Sequence, residues 1–164
     1  MKFFSSGWSF ALLLILTVIT GAGCKTFFSE RKPPAKIKIA ADRELNQNWQ
    51  EIVPSAPLEA TAKIHVVAMK LRGVTGWADE KQEKLRLTDG SEATVEIELI
   101  DENGVATALF PNGFGEYVEF GKRAKNKENT QEAYFQIGNK FGKIRLRSDK
   151  PVRAEEILWT EFEF

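Results

Sequence analysis

Few side chains in this chain carry chemistry of their own. It has one cysteine, Cys24, and one histidine, His65. A thiolate is a nucleophile, and an imidazole is a base or a metal ligand. A hydrolytic centre on His65 would need a nucleophile or carboxylate in reach, and zinc would need further nitrogen or sulfur ligands. His65 instead sits between Ile64 and Val66, the setting of a strand residue. Carboxylates are scattered: Asp79, Glu80 and Glu83; Asp89 and Glu92; Asp101 and Glu102. Asp101–Gly104 (DENG) is too short for an EF-hand loop and reads as a hairpin turn. The chain has no G-x-S-x-G elbow, Walker A loop or dinucleotide fingerprint. The expectation is no catalytic residue, no metal site and no cofactor.

Aromatic rings are the remaining candidates. Leu109–Gly121 (LFPNGFGEYVEFG) interleaves Phe110, Phe114 and Tyr117 with glycines and Pro111. The stretch reads as a loop in which glycines turn the backbone tightly while the rings project. Gly73–Trp77 (GVTGW) places Trp77 at a loop. Trp77, Phe110, Phe114 and Tyr117 are therefore candidate binding residues, for a glycan or for a protein partner. The alternative is that the same rings fold back into the core. Lys122–Glu132 (KRAKNKENTQE) reads as a solvated hairpin tip.

Cys24 takes its meaning from what precedes it. Lys2 is followed by an apolar run, Phe10–Thr20 (FALLLILTVIT), and then by GAGC. Small residues let the chain lie extended in a peptidase cleft, and the run has the length of a signal-peptide core. Two other readings of this segment are a buried cysteine and an uncleaved membrane span. Ala22, Gly23 and Cys24 resemble the lipobox of bacterial lipoproteins, and Gly21 departs from it. The resemblance covers residues 1–24. It implies a signal peptide over 1–23, diacylglyceryl attachment and palmitate at Cys24, and a body held to the bacterial cell envelope, periplasmic or surface-exposed. Two or more acyl chains give stable anchoring where one does not. Lys25 stands where Asp favours the inner membrane, so the resemblance implies the outer membrane if the organism has one.

The elements that must carry these residues are strands. Residues 24–58 read as a tether interrupted by Pro33, Pro34, Pro54 and Pro57. Ile37 and Ile39 suggest an edge strand, and Ala41–Ile52 a short helix with Leu45 and Trp49 at i, i+4. From residue 59 to 164 the pattern has period two. Ala62–Leu71, Leu85–Leu87, Ala93–Ile100, Val105–Phe110, Glu116–Phe120, Ala133–Ile137, Lys143–Arg147 and Ala154–Phe164 are the expected strands. In Ala93–Ile100, Val95, Ile97 and Leu99 share one face, and Glu96 and Glu98 the other. Asp89-Gly90 and DENG mark turns. The expected fold is all-β, an antiparallel β-sandwich of about seven or eight strands. A small barrel is the alternative.

Composition narrows function by exclusion. Lys and Arg number 23 and Asp and Glu 23, so no basic field suggests nucleic acid. A single cysteine allows no internal disulfide. Four Trp, two Tyr and twelve Phe supply the apolar surface for a core. The leading expectation is a non-catalytic, membrane-anchored module that binds a protein partner or supports an envelope assembly. A carbohydrate- or cell-wall-binding module is second, and a small hydrolase third.

Overall fold

The computed structural model describes residues 36–79, 83–124 and 130–161. Expectations for the signal peptide, Cys24 and the start of the tether lie outside the described residues. Contacts divide the chain into Met1–Pro33 and Pro34–Phe164, and the fold described here belongs to the second unit.

Among the described residues the regular structure is strands and one short 3-10 turn, Thr130–Ala133. The strands are β1 (Ile37–Leu45), β2 (Gln50–Ile52), β3 (Leu58–Glu59), β4 (His65–Arg72), β5 (Val74–Asp79) and β6 (Lys84–Leu87). They continue with β7 (Glu92–Ala93), β8 (Val95–Asp101), β9 (Ala106–Phe114), β10 (Val118–Gly121), β11 (Lys140–Ser148) and β12 (Val152–Glu161). Every pairing is antiparallel. One sheet runs β1-β12-β4-β10-β9-β8-β11-β2, with β3 paired to β11. A second, β5-β6-β7, is small.

The expected antiparallel all-β body is present. The two layers of a sandwich are here opposite parts of one continuous sheet. Its terminal strands, β1 and β2, are consecutive in the chain, so the sheet curls until its ends meet across the turn at 46–49. Ser148 N–H donates to the Asn46 carbonyl at 2.8 Å and fastens that turn to β11. The sheet is nearly closed, which leaves little free edge for stray pairing.

Alternation puts Val67, Met69, Ile97, Leu99, Val118, Phe120, Ile144 and Leu146 inside. One end of the barrel is plugged by rings. Phe135, Phe141 and Trp159 meet edge to face, with centroids 5.6–6.1 Å apart. The Trp159 indole N–H donates to the Glu59 carbonyl at 3.0 Å, tying β12 to β3. At the other end the small sheet folds against the barrel. Leu85 joins the common core, and Val74 and Trp77 pack against it.

Four expectations are corrected. Ala41–Ile52 is not helical; it holds the end of β1, a turn and β2. Its period is broken because β1 shifts register between Lys38 and Ala40, and Asp42 has φ 55°. The body therefore includes residues 36–58, with Leu45, Ile52 and Leu58 in the core. Ala133–Ile137 is no strand, since the 3-10 turn runs into it before Phe135 N–H bonds to the Lys63 carbonyl. Leu109–Gly121 is mostly strand: β9 continues to Phe114. Pro111 is accommodated beside a register shift at Glu119 and Phe120, where the ladder is already irregular.

Candidate functional site

The outer face of β2, β11 and β8 carries a ladder of charge pairs. Register sets Arg145 opposite Glu98 and Arg147 opposite Glu96. The Arg147 guanidinium meets Glu96 at 2.7 Å, Arg145 bonds Glu98, and Lys143 meets Glu51 of β2 at 2.9 Å. Opposite charges directly across a sheet attract, and exposure to solvent keeps the gain small. The hydrogen bond from Arg147 to Glu96 is the main cause that raises the arginine's pKa above its ordinary value.

Trp49 completes this arrangement. It leads into β2 from the turn, and its ring packs on both guanidinium groups, 4.9 Å from Arg145 and 4.5 Å from Arg147. Across the sheet, Arg123 lies 5.1 Å over the Phe110 ring and pairs with Glu83, which stands next to β6. Between these two groups lies a cleft of about 120 Å³. Trp49 and Phe110 line it, with Thr94, Glu96, Glu98 and Ala108 from β8, its approach and β9. The cleft thus offers aromatic surface and carboxylate acceptors where the β8–β9 ladder ends at Ile97 and Leu109.

The four rings expected to bind do not converge. Phe110 lines the cleft. Trp77 lies within β5 and not at a loop as expected; it pairs with Phe114 at 6.1 Å, and Phe114 is 38% exposed. Tyr117 points elsewhere, its hydroxyl donating to Glu156 of β12 at 2.8 Å. That bond raises the Tyr117 pKa and lowers that of Glu156, which Lys38 also approaches at 3.3 Å.

His65 is buried, 3% exposed, and stacks on Trp159 at 4.6 Å. Its Nε2 accepts the N–H groups of Thr61 at 3.0 Å and Ala62 at 3.1 Å, which puts the ring proton on Nδ1. Nδ1 meets no partner of good hydrogen-bond geometry. Burial lowers the His65 pKa, and Glu161 and the Thr160 backbone offset this in part. Thr61, His65 and Glu161 are the residue types of a hydrolytic triad, but in the wrong order. A triad carboxylate orients Nδ1; here Glu161 accepts a hydrogen bond from the Thr61 hydroxyl at 2.9 Å. Among the described residues no group of three His, Cys, Asp or Glu is placed to hold a metal ion.

The residues that sequence reasoning missed are Trp49, Arg145 and Arg147. The outward face of KIRLR was legible from its alternation. Trp49 was hidden by its assignment to a helix. The fold is that of a nearly closed, barrel-like antiparallel β-sheet protein, with a cleft on its surface. Comparison with protein families, curated proteins and solved structures returned no match.

Proposed function

We propose that this chain is a lipid-anchored, non-catalytic binding module of the bacterial cell envelope, and that the Trp49 cleft is its binding surface. The anchor rests on the sequence: an apolar run, then GAGC, with Cys24 as the acylated residue. The observation that carries the binding role is Trp49 held over Arg145 and Arg147 beside Glu96 and Glu98. Interaction sites favour Trp and Arg, which combine large contact area with directional polar groups. Glu83, Glu96 and Glu98 are each engaged by a guanidinium. That is the arrangement of structural ion pairs, not of an acid and a base facing a reacting bond.

Two variants of the full chain test this in a bacterial host. Cys24→Ser should move the protein from the membrane to the soluble fraction or stall its processing. Persistence of a signal-cleaved Cys24→Ser protein on the membrane would remove the lipid anchor. Crosslinking in the intact envelope should yield one stoichiometric envelope component with the wild type and lose it with Trp49→Ala. Equal recovery by both would show that the cleft is not the binding surface.

A further inference from the structure

We infer that the Trp49 cleft takes one sugar unit of a neutral glycan chain. The inference rests on the cleft being the binding surface and names its ligand class. Two features of the cleft select that class.

The first is charge. Glu83, Glu96 and Glu98 are matched by Arg123, Arg145 and Arg147. An anionic ligand would have to draw an arginine from its carboxylate. A cationic one would have to displace an arginine from its glutamate and from the Trp49 or Phe110 ring. A neutral ligand disturbs none of these pairs. Each carboxylate retains acceptor sites for hydroxyl groups.

The second is the pairing of rings with polar groups. A pyranose presents polarised C–H bonds on its faces and hydroxyls at its rim. The C–H bonds suit the electron-rich face of an aromatic ring. The hydroxyls suit the ion-paired carboxylates of Glu83, Glu96 and Glu98 beside it. A volume of about 120 Å³ admits one ring rather than a folded segment.

The experiment uses the full lipidated chain in detergent micelles, titrated with chitotetraose, cellotetraose and maltotetraose and followed by NMR and calorimetry. Tri-galacturonate and the chitosan tetramer serve as anionic and cationic controls. At least one neutral tetrasaccharide should bind, with a dissociation constant on the order of millimolar for one stacked ring. Trp49→Ala and Phe110→Ala should each weaken it about tenfold while the barrel spectrum is retained. Failure of every neutral sugar at about 10 mM overturns the inference. So does tighter binding of either charged control, or binding indifferent to both substitutions. If the sugars fail but Trp49→Ala still abolishes envelope capture, the ligand class is wrong and the binding surface stands. If capture is indifferent too, both fall.

Discussion

His65 accepts two backbone N–H bonds through Nε2 and stacks on Trp159, so the neutral ring is the form the fold uses. Protonation would turn that acceptor into a donor facing two donors, and would bury a charge. Burial holds the folded pKa below the ordinary imidazole value. The folded state therefore binds fewer protons than the unfolded one below about pH 6.5. The contribution is complete above that pH and is lost as pH falls toward the folded value. Urea midpoints should decline from pH 7 to pH 5, and His65→Gln, which keeps an acceptor, should flatten that decline. An unchanged slope in His65→Gln would assign the pH dependence to other groups. Sequence alone reads His65 as mid-strand, but it is the first residue of β4, and its partners at Thr61 and Ala62 depend on how the chain turns back before that strand.

The turns are the elements most readable from residue types. Asp89-Gly90 and DENG both form as expected. Gly90 and Gly104 each have φ 81°, and the Asp101 carboxylate accepts from the N–H groups of Asn103 and Val105 at 2.9 and 2.8 Å. Gly104→Ala adds a Cβ that meets nothing within 4 Å, so the cost is backbone strain alone. It should destabilise by about 1–2 kcal/mol in urea unfolding. Gly142→Ala in β11, equally open but without a left-handed φ, is the control and should be neutral or slightly stabilising. Equal loss at both sites would show that the strain argument is wrong. Irregular strands were less readable. The bulges in β1, β9–β10 and β12 shift the alternation by one residue, which moves side chains to the other face. In β12 the shift between Ala154 and Glu156 brings Ala154, Ile157 and Trp159 to one core. The same disturbance disguised β1 as the start of a helix and so concealed Trp49.

At the scale of the molecule, closure of the sheet decides what the folding unit is. β1 covers the edge of β12, while β2 and β3 cover that of β11. Arg153 reaches Asp42, 111 residues earlier, at 2.6 Å. A fragment of residues 34–164 should therefore unfold cooperatively. One of residues 59–164 would lose Leu45, Ile52 and Leu58 from the core and bare both edges. It should lack a cooperative urea transition and fixed near-ultraviolet dichroism; native-like dichroism in that fragment would mean that the first three strands are dispensable. The sequence by itself determined the all-β class, the antiparallel turns, and the inward and outward faces of β8 and β11. These depend on period and turn chemistry acting over a few residues. Only the tertiary structure decided that one sheet closes on itself, that Arg145 stands opposite Glu98, and that Trp49 lies over both arginines. Such pairings join residues far apart in the chain. Their register is chosen by the packing of the whole core, which no local pattern encodes.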